Sequence, residues 1–262
     1  MKSTFLENIL VKKRRRVDAA KSAPAAAEIQ ERARSVRSSC KPNALSTALK
    51  NTQRFNVIAE IKRASPSKGI INSEIDVAET ARSYESGGAC AISVLTEEDF
   101  FKGSLDDLRT ARAVCSLPIL RKDFIVDEFQ IFEAAEAGAD AILLIVAALS
   151  MDNIKHLFSV ASDMDMDAVV EVHDFEDLAV VRGIGCTLIG VNNRSLHTFE
   201  VSLDVSRELI THKPHGALMI AESGISNREE INELHSLGFD AFLVGETLMR
   251  TGDPRAILEA WI

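Results

Sequence analysis

Two lysines and three glutamates in this sequence have the types and spacing that acid–base chemistry needs. Glu60 and Lys62 stand two residues apart at the end of one apolar run, and Lys122, Glu171 and Glu222 lie at the ends of others. An ammonium group can donate a proton or hold an anion, and a carboxylate can move a proton. Because inward-facing charges must be paired or used, convergence of these five side chains would indicate an acid–base site.

The elements that carry these residues repeat along the chain. From residue 56 onward, short β-branched runs alternate with longer stretches of helical period, which is the pattern of a parallel sheet. The predicted strands are Asn56–Lys62, Cys90–Leu95, Pro118–Lys122, Ala141–Val146, Ala168–His173, Leu188–Asn192, Leu218–Glu222 and Ala241–Gly245. Eight β/α units are the number that closes a barrel. We therefore predict an α/β fold, a (β/α)8 TIM barrel, over residues 51–262.

Glycines mark the turns from helix to strand. Gly88, Gly138 and Gly238 each lie just before a predicted strand, and each is expected to end its helix in the left-handed conformation. An open doubly wound sheet is the rival fold, but it would bind dinucleotides through a glycine-rich loop after a strand. Gly183-Ile184-Gly185 precedes a strand instead, and no phosphate loop ending in Gly-Lys-Ser/Thr is present. The closed barrel is therefore favoured.

The barrel fold predicts where the charged residues meet. Barrel active sites form at the carboxyl ends of the strands. Residues two apart on a strand share a face, so Glu60 and Lys62 point the same way. If they point inward, they meet Lys122, Glu171 and Glu222, because alternate strands share layers. A solvated rim of charges and a purely structural ion-pair network are the alternatives.

Glycines after the last two strands indicate a phosphate site. Gly224 follows the seventh predicted strand, and Gly245 ends the eighth. At this position in TIM barrels, backbone N–H groups and a short helix N-terminus bind phosphate. Glu246 comes next, so we expect its N–H to face the anion and its carboxylate to point away. Each glycine alone could also be a simple turn.

Composition limits the class of protein. The 262 residues are 46% hydrophobic and 26% charged, as in globular proteins. The longest apolar run, Ala141 to Leu149, has nine residues, whereas a membrane span needs about 20, so no membrane partner is expected. Four scattered cysteines without a C-x-x-C pair argue against disulfides and structural zinc and fit the cytoplasm. His212 and His215 flank a Lys-Pro loop, and we expect no metal there.

A basic segment precedes an acidic remainder. Residues 1–50 have a net charge of +8, and residues 51–262 have a net charge of -17. The run Lys12-Lys13-Arg14-Arg15-Arg16 resembles a nuclear signal, and such segments can bind nucleic acid. The spacing of Phe5, Ile9 and Leu10 instead predicts an amphipathic helix. We expect residues 1–50 to form a helical extension packed on the barrel, with no nucleic-acid partner.

At these residues the chain closely resembles the indole-3-glycerol-phosphate synthase family of tryptophan biosynthesis. The matching segments are Ile58 to Gly69, Leu95 to Glu97, Phe101 to Ser104, Leu120 to Phe124, Glu171 to His173, Gly190 to Arg194, Ala221 to Ile225 and Leu243 to Glu246. The resemblance covers nearly the whole chain. It implies a cofactor-free carboxy-lyase that converts 1-(2-carboxyphenylamino)-1-deoxyribulose 5-phosphate into indole-3-glycerol phosphate, carbon dioxide and water.

The resemblance also implies roles for individual residues. Lys122 would be the general acid that protonates the substrate ketone, and Lys62 would hold the substrate carboxylate. Glu171 would stabilise the cationic intermediate, with Glu60 and Asn192 positioning these groups. Ser223 would complete the catalytic set, and the other substrate contacts would be Ser65, Phe124, Leu143, Ile145, Arg194 and Glu222. The phosphate would be held by Gly224, Gly245 and Glu246.

Some of these residues have a second interpretation. Phe124, Leu143 and Ile145 would form the apolar wall for the anthranilate ring, but Leu143 and Ile145 could equally be barrel core. Arg194 would address the phosphate end, and Ser65, in the loop after the first strand, would close over the substrate. These assignments make a small phosphorylated molecule the expected partner.

Two other functions stay open. A phosphoribosylanthranilate isomerase-like enzyme would share the glycine pair, but its acid and base would include Cys and Asp. A catalytically inactive barrel acting as a binding subunit would not need Lys62, Lys122 and Glu171 intact. The expected oligomeric state is a monomer or a weak homo-oligomer, and no fused isomerase domain is expected.

Overall fold

Eight parallel strands close into a barrel. The computed structural model describes residues 4–262, so the first three residues of the predicted extension lie outside the described residues. The barrel strands are β1 Val57–Ile61, β2 Ala91–Leu95, β3 Ile119–Lys122, β4 Ala141–Ile145, β5 Asp167–Val172, β6 Leu188–Asn192, β7 Leu218–Glu222 and β8 Ala241–Val244. Strands pair in chain order, and β8 pairs with β1 to close the barrel. The predicted TIM barrel is confirmed, and every strand end lies within one residue of its predicted position.

Helices follow the strands and cover the outer face of the sheet. They are Val77–Ser86, Leu105–Val114, Glu128–Glu136, Met151–Asp163, Phe175–Ile184, Asp204–Leu209, Arg228–Leu237, Glu246–Arg250 and Pro254–Trp261. Short 3-10 helices lie at Pro24–Glu28, Val146–Ala148 and Ile210–His212. Gly88, Gly138 and Gly238 have φ values of 91°, 89° and 115°, which confirms the predicted left-handed turns.

Apolar side chains fill two layers of the barrel. One layer lies between the strands and the surrounding helices, and the other includes inward residues such as Ile58, Leu120 and Ile220. Because both faces of a parallel sheet are covered, its strands are nearly continuous apolar runs. The four cysteines are free, and burial raises the pKa of the Cys90 thiol to about 12. This thiol is therefore protonated at neutral pH and packs within the core.

The N-terminal segment folds into three helices that reach both ends of the barrel. They are α1 Phe5–Lys21, α2 Ile29–Arg37 and α3 Ala44–Ala48. At the amino ends of the strands, the Ser46 N–H donates to Asp167 at 3.0 Å, and Asn56 Nδ2 donates to the Leu49 carbonyl at 2.9 Å. The predicted helical extension is confirmed, whereas a domain boundary at residue 50 stays a prediction.

The basic run of α1 packs on acidic residues that follow β2 and β3. Lys13 Nζ lies 2.9 Å from Glu98 and 2.8 Å from Asp123, and Arg16 pairs with Asp99 at 2.9 Å. Lys12 Nζ lies 4.7 Å from the centre of a phenylalanine ring. Much of the positive charge of this helix is therefore paired with acidic or aromatic groups of the same chain.

Over residues 4–262, no helix is long and apolar enough to cross a membrane.

Candidate active site

A cavity of about 1100 Å³ opens at the carboxyl ends of the strands. The structure brings every residue predicted for the site to its lining: Glu60, Lys62, Ser65, Lys122, Phe124, Leu143, Ile145, Glu171, Asn192, Arg194, Glu222, Ser223, Gly224, Gly245 and Glu246. These residues come from seven of the strands or the loops that follow them. These residues therefore lie together at this face of the barrel, and the roles given to them stay predictions.

Lys122 lies between two glutamates on the inner face of the barrel. Its Nζ is 2.7 Å from Glu171 Oε2 and 2.9 Å from Glu222 Oε2. Lys62 Nζ pairs with Glu60 Oε1 at 2.5 Å. These five side chains lie at the carboxyl ends of β1, β3, β5 and β7. Inward residues of alternate strands share a layer of the barrel. Two ammonium and three carboxyl groups thus meet in one largely buried cluster.

Glu171 has further partners on its second oxygen. Asn192 Nδ2 donates to Glu171 Oε1 at 3.1 Å, and Asn192 Oδ1 accepts the N–H of Arg194 at 3.0 Å. His173 Nε2 lies 3.4 Å from the same Glu171 oxygen, and its Nδ1 lies 3.6 Å from Asp177. Asn192 therefore fixes the orientation of the Glu171 carboxylate.

Burial and neighbouring charges separate the pKa values of the two glutamates. Burial raises the pKa of Glu222 to about 7, and repulsion from Glu171 adds to the rise against the opposing effect of Lys122. Burial also disfavours charge on Glu171, but attraction to Lys122 and His173 holds the pKa of Glu171 below its usual range. Two carboxyls with separated pKa values can take different acid–base roles. Glu171 is the charged partner, and Glu222 can carry a proton.

The raised pKa of Glu222 predicts a pH-dependent stability. Between the ordinary value of 4.5 and about 7, the folded protein holds a proton that the unfolded chain releases. The contribution of Glu222 to the free energy of unfolding therefore falls as the pH rises through this interval. Glu222→Gln removes this titration, so its stability relative to the wild type should rise from pH 5 to pH 8 in denaturant unfolding. Glu229→Gln, at an exposed position, is the control, and a pH-independent Glu222→Gln difference would contradict the assignment.

Two glycines make room for the carboxylates. A Cβ on Gly190 would lie 2.2 Å from Glu222 Oε1, and a Cβ on Gly245 would lie 2.3 Å from Glu60 Oε1. Gly245, predicted for phosphate, therefore has a packing role as well. Sequence reasoning missed Gly190, although a glycine inside a strand often marks a close approach.

We expect Gly190→Ala to lower kcat about tenfold or more. The added methyl group would push Glu222 away from Lys122, and misplacement by about 1 Å can cost 10²-fold in rate. Gly183→Ala is the matched control, because a Cβ at Gly183 would meet nothing within 4 Å. Steady-state kinetics on both variants checks the prediction. Equal activity of the two would show that Glu222 tolerates displacement.

The apolar side of the cavity has more aromatic residues than the sequence analysis predicted. The rings of Phe124 and Phe101 lie 6.5 Å apart, and both line the cavity. Leu143 and Ile145 line it too while belonging to the buried core, so both interpretations hold for them. Phe5 of α1 also reaches the lining. The place of Phe5 on the apolar face of the predicted helix indicated burial, but it did not identify the surface that the ring contacts.

The polar side of the cavity contains the predicted phosphate residues. Gly224 has a φ of 86°, and Gly245 precedes the helix Glu246–Arg250. Arg194 Nη1 donates to Ser67 in the loop after β1 at 3.0 Å. The Glu246 carboxylate lies 3.2 Å from Arg250 and 3.9 Å from Arg194. It is therefore turned toward two arginines at the cavity edge.

Ser65 lies in a short hairpin beside this polar side. The hairpin pairs Ala64–Ser65 with Gly69–Ile70, and Ser65 is buried at the cavity lining.

No group of three or more His, Cys, Asp or Glu that could hold a metal ion is found in the part of the chain that the structure describes.

The fold and this cavity define a (β/α)8-barrel protein with an acid–base site at the carboxyl ends of its strands. The family model described as indole-3-glycerol phosphate synthase matches residues 6–260. Relatives of that name from Syntrophobacter fumaroxidans and Carboxydothermus hydrogenoformans are each 44% identical over 259 residues. These alignments cover 98% and 97% of this chain and 96% and 98% of the relatives, respectively. The chain belongs to the indole-3-glycerol phosphate synthase family.

Further relatives agree with this assignment. An indole-3-glycerol phosphate synthase from Sulfurimonas denitrificans is 50% identical over 205 residues, which is 78% of each chain.

Among solved structures, thiamine phosphate pyrophosphorylase from Pyrococcus furiosus superposes with a TM-score of 0.59 at 18% identity, covering 79% of this chain and 93% of that one. KGPDC from Streptococcus mutans gives 0.60 at 11% identity, covering 80% and 96%. The two structures share the barrel fold.

Proposed function

We propose that this protein catalyses ring closure, decarboxylation and dehydration of 1-(2-carboxyphenylamino)-1-deoxyribulose 5-phosphate to indole-3-glycerol phosphate. The observation that carries the proposal is Lys122, held between Glu171 and Glu222 inside a cavity that is apolar on one side and arginine- and glycine-lined on the other. Such a cavity suits a substrate with an aromatic ring at one end and a phosphate at the other. Membership of the family supports the same reaction.

Ring closure is assigned to Lys122. The ring carbon that bears the carboxylate attacks the ketone carbon, and negative charge develops on the ketone oxygen. An ammonium group aimed at this oxygen stabilises the charge and transfers a proton to it, leaving a hydroxyl group. The three neighbouring glutamates raise the pKa of Lys122 above its usual range despite burial. Lys122 therefore enters the reaction protonated, as a general acid must.

Decarboxylation needs no added electron acceptor. Ring closure leaves an iminium cation, and the electron pair of the breaking carbon–carboxylate bond neutralises it as carbon dioxide leaves. Lys62 would hold this carboxylate until ring closure, with Glu60 orienting the ammonium group. Glu171, which keeps its negative charge, would stabilise the cation at this stage.

Dehydration completes the indole ring. The new hydroxyl group leaves as water with one added proton, and a proton is lost from the neighbouring carbon to form the double bond. Glu171 would assist removal of this proton, and Asn192 would hold its carboxylate in place. Ser223 lines the same part of the cavity. Arg194 and the N–H groups near Gly224 and Gly245 would bind the phosphate.

The proposal includes the setting of the enzyme. We place it in the cytoplasm as a monomer or weak homo-oligomer, with the phosphorylated substrate as its partner and without a nucleic-acid partner. Pairing of Lys13 and Arg16 with acidic residues of the same chain supports the last point.

Incubation with the synthetic substrate tests the function directly. Formation of indole fluorescence, undiminished after exhaustive chelation, is the expected result. Turnover of phosphoribosylanthranilate instead would favour the isomerase alternative. Binding of the substrate without turnover would favour an inactive barrel.

A further inference from the structure

A buried ion pair joins the N-terminal extension to the residue that follows Lys122. The Asp123 side chain is fully buried, and its Oδ1 lies 2.8 Å from Lys13 Nζ in α1. Lys13 itself is only 3% exposed. Burial acts to lower the pKa of Lys13, but Asp123 and Glu98 raise it above its usual range. Burial acts to raise the pKa of Asp123, but Lys13 and Arg121 lower it below its usual range, so both members of the pair are charged.

Asp123 anchors the end of β3 through several donors. Its Oδ1 also accepts the Phe124 N–H at 2.8 Å, and its Oδ2 accepts Thr96 Oγ1 at 2.6 Å and Arg121 Nη2 at 3.1 Å. Each of these contacts restricts the backbone on one side of Lys122. Successive residues of a strand point to opposite faces. Lys122 therefore points into the cavity, and buried hydrogen bonds fix the side chains on either side of it.

The charge balance around Asp123 depends on Lys13. Arg121 also faces Glu133 at 3.3 Å and donates to the Gln130 carbonyl. Without Lys13, Arg121 would be the cation shared by Asp123 and Glu133 in this buried cluster. A buried carboxylate that loses its partner must take up a proton, admit water or move. Movement of the Asp123 carboxylate would disturb the backbone beside Lys122, because the oxygen that contacts Lys13 also accepts the Phe124 N–H.

We propose that Lys13 is a positioning residue for Lys122 and acts through Asp123. This inference rests on the proposed function, because it assigns Lys122 the ring-closing step. The N-terminal extension then serves catalysis as well as stability. It would hold the β3 end so that the Lys122 ammonium group stays between Glu171 and Glu222.

Lys13→Met tests the proposal in the full-length chain. We expect kcat to fall about 10- to 100-fold, since small misplacements of a catalytic group have effects of this size, while KM changes less than about threefold. Single-turnover ring closure should slow by the same factor, and Lys13→Arg should restore most of the rate. Arg15→Met is the matched control, because it removes an exposed cation from the same helix; it should match the wild type within about twofold. A crystal structure of Lys13→Met should show a longer distance between Lys122 Nζ and Glu171.

Several outcomes would overturn the inference. Wild-type kcat in a Lys13→Met protein with a lowered melting temperature would make Lys13 purely structural. If Lys13→Met does not fold, Lys13→Gln, which keeps an N–H donor but removes the charge that pairs with Asp123, takes its place, and near wild-type kcat in that variant would also refute the role. A wild-type protein that does not turn over the substrate would refute the proposed function itself.

Discussion

Lys122→Ala should lower kcat by about 10² to 10⁴, the usual effect of removing a general acid, with a much smaller change in KM. The ammonium group lies 2.7 Å and 2.9 Å from two glutamates inside the barrel, so its removal takes this cation out of this cluster of carboxyl groups. The ammonium group stabilises the transition state, in which charge develops on the ketone oxygen. Its loss therefore lowers kcat. Single-turnover fluorescence of the ring-closing step is the decisive measurement.

Lys62→Ala is the comparison within the same cavity. Lys62 is paired with Glu60 on β1 and is expected mainly to hold the substrate carboxylate. Loss of ground-state binding raises KM more than it lowers kcat. If Lys122→Ala closes the ring at nearly the wild-type rate, or if the two kinetic profiles are exchanged, the roles of the lysines are assigned wrongly. The family membership would be unaffected.

Glu171→Gln should also lower kcat by about 10² to 10⁴. The substitution keeps the size of the side chain and an oxygen that can accept the hydrogen bond from Asn192. It removes a negative charge that Lys122 and His173 stabilise. This stabilisation is what lowers the pKa of Glu171. The cationic intermediate then loses its nearby anion, and proton removal loses its base. KM should change little, because the lost interactions arise after substrate binding.

Glu176→Gln serves as the control for Glu171→Gln. Glu176 lies shortly after β5 in the first turn of the helix Phe175–Ile184 and is exposed. The same chemical change there should leave kcat within about twofold of the wild type. A Glu171→Gln enzyme with a kcat within threefold of the wild type would exclude both roles given to this carboxylate and would move the base assignment to Glu222.

Much of the fold could be predicted from the sequence, because local patterns carry it. Parallel strands covered on both faces are short apolar runs, and glycines in the left-handed conformation mark the turns before them. Eight such units leave few ways to bury all the apolar runs, and a closed barrel is one of them. Once the barrel is accepted, the polar residues at its strand ends must share one face. Glu60, Lys62, Lys122, Glu171 and Glu222 are therefore predictable as a group.

Only the tertiary structure decided the contacts and charges within that group. Glu171 and Glu222 occupy equivalent strand ends in the sequence, yet their pKa values move in opposite directions because their neighbours differ. The space that Gly190 leaves for Glu222 depends on two strands lying side by side.

Sequence patterns likewise do not predict the role of the N-terminal helix. Its periodicity predicts an apolar face, but it does not say which surface that face meets. Lys13 lies in a run of five basic residues that look alike in sequence, and it is buried while Arg14 and Arg15 are exposed. The physical reason is that helical phase selects one residue of the run, and only the folded barrel places Asp123 opposite it.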